Sequence, residues 1–280
     1  MKKALVLACV IAMSGSVMWA DDKPCMDGAE KLGWKLAVQA WSFHRGTFFE
    51  AVDKTAAAGI SYIEAFPGQK IDKDIDGKMG PGMSADQIKA VKDKLAASKV
   101  KVVAFGVCGL SKDEAASRKT FEWCKEMGIE VINTEAKEDA FPALAKLAKE
   151  FDIKVGLHNH PKPSYYWNPD KVLEALKGVD PMIGSNADTG HWVRSKLNPL
   201  ECLKKLEGRI VSSHFKDLKG GHDVVWGTGD SDAKALLAEL KRQGFKGVIS
   251  AEYEHNWEKN HEDIAQCAKA FAAITMELAK

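Results

Sequence analysis

Apolar and polar positions along the chain follow one repeating order. A short run rich in β-branched and apolar residues comes first, then a turn, then a longer stretch with helical spacing. Eight runs read as strands: residues 36–41, 62–66, 100–105, 130–134, 154–158, 182–187, 210–214 and 248–252. Eight helical stretches alternate with them. "TFFEAVDKTAAAG" ends at Gly59, a C-cap by type, and "SADQIKAVKDKLAAS" opens on Ser84 as N-cap. "SKDEAASRKTFEWCKEMG" offers Ser111 as N-cap, Glu114 at the capping-box position and Gly128 as its end. "FPALAKLAKEF", "NPDKVLEALKG", "NPLECLKKLEG", "SDAKALLAELKRQG" and "NHEDIAQCAKAFAAITMELAK" complete the series. This alternation predicts an α/β protein with a single-domain (β/α)8 TIM barrel over residues 35–280. A doubly wound open sheet would need a glycine-rich first turn, which is absent.

The first twenty residues stand outside that order. "MKK", the apolar run "ALVLACVIAM" and the small-residue exit "SGSVMWA" have the layout of a secretory signal peptide. Residues 21–34 read as an N-terminal extension lying over the barrel, and "GQKIDKDIDGKMGPGMS" as a long loop after the second strand. No later stretch is long and apolar enough to span a membrane. The expected location is therefore periplasmic or secreted.

Hydrophobic residues make up 45% of the chain and charged residues 28%, enough apolar side chain for one large core. Loss of residues 1–20 removes Lys2 and Lys3 and no acid, so the formal charge goes from +1 to −1. A near-neutral protein has no general attraction for nucleic acid. Cys9 leaves with the signal, and Cys25, Cys108, Cys124, Cys202 and Cys267 are too few and too scattered for a disulfide scaffold.

In a (β/α)8 barrel the chemistry gathers where strands end. Those ends carry Glu64, Glu135, His158 and His160, Asp188 and His191, His214 with Lys216 and Asp217, and Glu252 with Glu254. Four of the chain's eight histidines thus fall at three consecutive strand ends. Any one of these residues alone reads as a solvated loop residue or a cap, so the inference rests on the constellation. Carboxylate and imidazole together suit a divalent ion such as Mn²⁺, Zn²⁺, Co²⁺, Fe²⁺ or Mg²⁺. Such an ion beside an acid or base suits proton abstraction next to a carbonyl. Lys216 is placed to steady the developing enolate oxygen.

The segments "DTGHW", "RIVSSHFKDL", "WGTGD" and "GFKGVISAEYE" resemble those of the xylose isomerase-like TIM barrel superfamily, over roughly residues 35 to 280. That superfamily includes sugar isomerases and epimerases and inosose dehydratase-type enzymes. The resemblance implies a metal held by Asp188, His214 and Glu252, with Mn²⁺ the first expectation. The fourth ligand in many relatives is a glutamate where this chain has His158, so Glu135 on the preceding strand is the expected substitute, with His158 or His160 as rivals. Catalytic roles then fall to His158, His160, His191 and Lys216. Substrate contacts fall to Trp41, His44, Glu64, Trp192 and Glu254.

The implied activity is sugar isomerase- or epimerase-like. The missing glutamate, with export, points alternatively to a lyase that expels the C1 substituent of a 3-keto-glycoside. A non-catalytic carbohydrate-binding barrel is a third reading, against which the intact Asp188, His214 and Glu252 set speaks. A DNA-repair role, as in the endonuclease IV branch, conflicts with export and charge. Barrels of this type often self-associate, and a homo-oligomer is expected on that ground alone. The expected mature protein begins near residue 21; N-terminal sequencing of exported material checks this, and an intact Met1 would refute it.

Overall fold

The computed structural model describes residues 23–280, so the signal-peptide segment lies outside the described residues. The chain runs α1 (Asp27–Leu32), β1 (Trp34–Gln39), α2 (Phe48–Ala57), β2 (Tyr62–Ala65), α3 (Ala85–Ser98), β3 (Lys101–Cys108), α4 (Glu114–Met127), β4 (Val131–Thr134), α5 (Phe141–Phe151) and β5 (Lys154–His158). It continues α6 (Pro169–Ala175), β6 (Ile183–Asp188), α7 (Thr189–Arg194), α8 (Pro199–Lys205), β7 (Ile210–Phe215), β8 (Asp217–Lys219), β9 (His222–Val224), α9 (Ala233–Arg242), β10 (Gly247–Ala251) and α10 (Asn260–Leu278). β1 to β7 pair in sequence order, β7 pairs with β10, and β10 closes on β1, all in parallel. The eight predicted strands are the eight barrel strands, and the fold is a TIM barrel.

Caps explain most helix starts. Ser84 and Thr47 form capping boxes with Gln87 and Glu50. At α4 the expectation was off by two residues. Asp113, not Ser111, is the N-cap, because its carboxylate accepts from Ala115 N and Ala116 N while Ser111 Oγ takes the amide of Asp113.

Four features differ from the sequence reading. β1 begins at Trp34 and ends at Gln39, whose side chain accepts the Trp41 amide and turns the chain into a short 3-10 helix. The extension is a helix, α1, that packs against α10, so the barrel unit starts earlier than residue 35. The segment after β2 folds down on itself, with Gln69, Ile71 and Met79 buried and backbone bonds from Phe48 and Phe49 to Lys70 and Ile71. α7 and the β8–β9 hairpin were not anticipated; Gly220 and Gly221, both at positive φ, make the hairpin turn.

Most apolar side chains fill the layer between strands and helices. Inside the barrel, Ala37, Val103, Ala104, Val131, Val211 and Val248 form a small apolar plug near the strand starts. Above it the interior turns polar, with Glu64, Asn133, Ser212 and Ser250 joined by hydrogen bonds. The five cysteines among the described residues are free.

Helix α1 sits so close to α10 that a Cβ on Gly28 would lie 2.6 Å from the Thr275 carbonyl oxygen. Gly28→Ala should therefore cost about 1–3 kcal/mol, the usual penalty of overpacking, read as a lower urea midpoint at unchanged m-value.

Candidate active site

Parallel strands carry all their C-terminal ends to one rim, and the charged residues collect there. Asp188 ends β6, and its carboxylate caps α7 by accepting the His191 amide. Lys216 follows β7 and places its ammonium between Asp188 Oδ2 and Glu252 Oε2, in contact with both. All three side chains are buried. Burial favours the neutral amine, but Asp188 and Glu252 outweigh it and hold Lys216 charged. Burial likewise works against an ionised Glu252, and Lys216 and His214 overcome it to push its pKa well down.

Below this pair stands His214. Its Nε2 donates to Glu64 Oε1 at 3.0 Å, and its Nδ1 lies 3.0 Å from Glu252 Oε2 and 4.0 Å from Asp188 Oδ2. Burial opposes a charged ring here, yet Glu64 and Glu252 raise the imidazole to about 10. Glu64 also accepts from Asn133 and Ser250 and is wholly buried. It was expected to touch substrate. It instead fixes the direction of the His214 ring from beneath, as an acceptor behind an imidazole does.

Three more imidazoles face each other above β5 and β6: His158, His160 and His191, with ring centroids 4.4 to 5.6 Å apart. Each has a partner on Nδ1. Arg194 Nη1 lies 3.1 Å from His191 Nδ1 and can only donate, so the neutral ring carries its proton on Nε2. Burial, then Lys216, holds His191 well below its ordinary pKa, and burial does the same for His158. Asn186 Nδ2 lies 3.2 Å from His158 Nδ1. His160 Nδ1 meets Glu135 Oε2 at 3.2 Å, which raises His160.

Glu135, the expected first metal ligand, therefore serves another purpose. Part-exposed on the loop after β4, it is tied to His160 and Ser164, while His158 stands where β5 points into the site. Lys216, expected to steady an enolate oxygen, is engaged within the protein as well. It has no exposed surface and binds both neighbouring carboxylates, so its charge is spent within the site and not on the cavity.

A cavity of about 310 Å³ opens over Glu252, lined by Gln39, Trp41, Phe66, His158, His160 and Glu254 among others. Trp41 is 41% exposed, stacked on His44 at 4.7 Å and braced edge-on by Phe66. His44 thus backs Trp41 and is not part of the wall. Trp192, expected at the pocket, is fully buried in the main apolar cluster because α7 turns it inward. Gly190 of "DTGHW" is helical; its missing side chain makes room for Lys216, whose Cβ would lie 2.6 Å from a Cβ there.

Arg194 and Asp223 were missed. Arg194 binds Glu254, His191 and, at 2.7 Å, the buried Asp223 of β9. The signal lay in the spacing His191–Arg194, one turn of a helix, legible only once α7 is recognised. "WGTGD" proves structural. Asp217 accepts the amides of Gly227, Gly229 and Ser231, and a side chain on Gly229 would strike its carboxylate. A further cavity of about 460 Å³ at the other end of the barrel, walled by Tyr62, Leu95 and Met127, has no buried titratable group.

The donors fit a divalent ion. His158, Asp188 and His214 bring one ligand atom each within 4.8 Å of one another, and Glu252 adjoins them. His214 Nδ1 is buried and makes no well-aligned hydrogen bond, although Glu252 Oε2 lies 3.0 Å away. Three buried carboxylates, Glu64, Asp188 and Glu252, face the Lys216 ammonium and the His214 imidazolium, leaving one negative charge to balance. Turning the Asn186 amide, whose Oδ1 is otherwise unpartnered, would put the His158 proton on Nδ1 and free Nε2.

A closed α/β barrel with imidazoles and carboxylates gathered at its C-terminal rim defines the class of this protein. Within it, a family model for the xylose isomerase-like TIM barrel matches residues 52–271, and the chain belongs to that family. It is 29% identical over 133 residues to an inosose dehydratase of Clostridium tetani (strain Massachusetts / E88), covering 40% of this chain and 44% of that one. The chain thus spans less than half the length of the curated relatives it matches. An uncharacterised protein of Parabacteroides distasonis ATCC 8503 superposes with TM-score 0.69 at 34% identity, covering 85% of this chain and 98% of that one. A xylose isomerase-like barrel of Mycobacterium smegmatis in complex with magnesium shares the fold at TM-score 0.71 and 14% identity, covering 89% and 99%. Sugar epimerases are also structural neighbours.

Replacing Arg194 with Gln would leave Asp223 buried without its cation. A loss of about 1–3 kcal/mol in urea unfolding is expected. Unchanged stability would show that Asp223 does not depend on this partner.

Proposed function

We propose that this protein removes a proton from the carbon beside a carbonyl of a sugar or keto-sugar, with a divalent metal ion at the rim of the barrel. The observation that carries the reading is the convergence of Asp188, His214 and Glu252, neutralised by Lys216, under a cavity walled by imidazoles. Asp188, His214 and Glu252 would hold the ion, with His158 as fourth donor, and the mixed oxygen and nitrogen set favours Mn²⁺ over Mg²⁺. When bound, the ion draws charge onto the carbonyl oxygen and so acidifies the adjacent C–H bond.

This chain's residues supply the rest. Glu252 has one oxygen on Lys216 and lines the cavity, so it is the base. His191 presents an Nε2 proton, and its depressed pKa keeps it a neutral hydrogen-bond donor. His160, held on Nδ1 by Glu135, returns a proton from Nε2. Trp41 offers an apolar shelf to one face of a sugar ring. Export to the periplasm or beyond, read from residues 1–20, is part of the same proposal.

Simple epimerisation in this family relies on a second glutamate, and β5 ends here in His158 instead. One carboxylate base and one imidazole acid suffice for β-elimination. That observation favours a lyase as the second reading, and the similarity to an inosose dehydratase supports it.

Solvent deuterium should enter a sugar carbon in the presence of the metal-loaded protein. Thorough chelation should abolish this exchange and Mn²⁺ restore it. Asp188→Ala and His214→Ala should lose both metal and exchange. Full metal occupancy in either variant, or exchange indifferent to chelation, would sink the metal site. His160→Asn should lower kcat by about 10²-fold, the usual worth of a positioned acid.

A further inference from the structure

Two cavities meet at His160. The first is the one over Glu252. The second, about 450 Å³, lies between the chain after β3 and the chain after β4, walled by Val107, Leu110, Thr134, Ala136 and Lys137. Val107 and His160 belong to both walls, so the two spaces adjoin across these side chains. The first cavity is at the small end of ligand sites and takes one ring. The second has no part in proton abstraction, yet it opens on the same rim. Its wall is mixed: Val107, Leu110 and Ala136 are apolar, Glu135 and Lys137 charged.

We propose that the second cavity is a leaving-group subsite, which binds the second ring of a keto-glycoside whose first ring reacts over Glu252. This rests on the elimination reading above. His160 stands at the boundary, where the oxygen joining the two rings would lie. Its Nδ1 is engaged by Glu135, which leaves Nε2 for that oxygen.

The step balances without any redox partner. Glu252 takes the proton from the carbon beside the carbonyl. The C–H electron pair becomes a C=C bond, and the C–O bond to the second ring breaks with its pair going to oxygen. His160 gives that oxygen its proton, and the alcohol leaves through the second cavity. Glu252 then passes its proton to water, and His160 regains one. The carbonyl has to be installed on the intact glycoside beforehand, by an oxidation.

The test compares a keto-disaccharide with the 2,2,2-trifluoroethyl glycoside of the same keto-sugar, whose small leaving alcohol is at least as acidic as a sugar hydroxyl, on the Mn²⁺-loaded protein. The ratio of their kcat/KM values should exceed ten in favour of the disaccharide. Leu110→Trp, which fills the second cavity, should cut that ratio at least tenfold, and Lys137→Ala, on the exposed lip, should lower it in the same direction. Calorimetric binding of the disaccharide should weaken in both variants. Equal kcat/KM for the two substrates, or a ratio unmoved by both variants, overturns the subsite. Deuterium exchange on the free keto-sugar reports separately on the proton-abstraction reading, which fails if no sugar exchanges.

Discussion

The ammonium of Lys216, buried between Asp188 and Glu252, is the interaction on which the rim of this barrel depends. Taking such ions out of water costs several kcal/mol each, and only close, hydrogen-bonded partners return it. The partners come from β6, β7 and the end of β10, which pins three strand ends to one another. Removing Lys216 would leave Asp188 and Glu252 facing each other without their shared cation. The requirement reaches downward as well. His214 bridges this layer to Glu64, and Glu64 to Asn133 and Ser250, so a column of polar contacts occupies space that bulky aliphatic side chains usually fill in such barrels.

Small residues make the column possible. A side chain on Gly190 would collide with Lys216, and one on Gly156 would lie 2.5 Å from Asn133 Oδ1 and 3.0 Å from Ser212 Oγ. Asn159 bonds both backbone groups of Asp188, at 2.8 and 3.0 Å, and so extends the pairing of β5 and β6 to the end of β6. Arg194 plays the corresponding part on the outer side, joining α7, the β8–β9 hairpin and the end of β10. The site is therefore preorganised by residues that do not themselves face the cavity.

Imidazoles that look alike in the sequence acquire different chemistry from the atom each meets on Nδ1. A guanidinium opposite His191 forces the proton to Nε2. A carboxylate opposite His160 does the reverse and favours the charged ring. Glu64 opposite His214 acts through Nε2 instead and leaves Nδ1 toward the carboxylates. Four histidines at successive strand ends thus carry their protons and charge differently, which is what the proposed roles of donor, acid and two ligands draw on.

The alternation of apolar runs with capped helical stretches was enough to specify the eight-stranded barrel, because strand period, helix period and cap chemistry are local properties. Strand direction then placed Asp188, His214, Glu252 and three histidines at one rim without further information. What the tertiary structure decided was depth and partnership. Glu64 and Trp192 sit on the right elements but are buried, and Lys216 spends its charge on carboxylates. Glu135 turns to His160 rather than the ligand cluster. Arg194 and Asp223 meet across 29 positions of sequence through a hairpin and a helix that carry little periodic signal. Such facts depend on which side chains from distant strands compete for the same buried charge, and no local pattern records that competition.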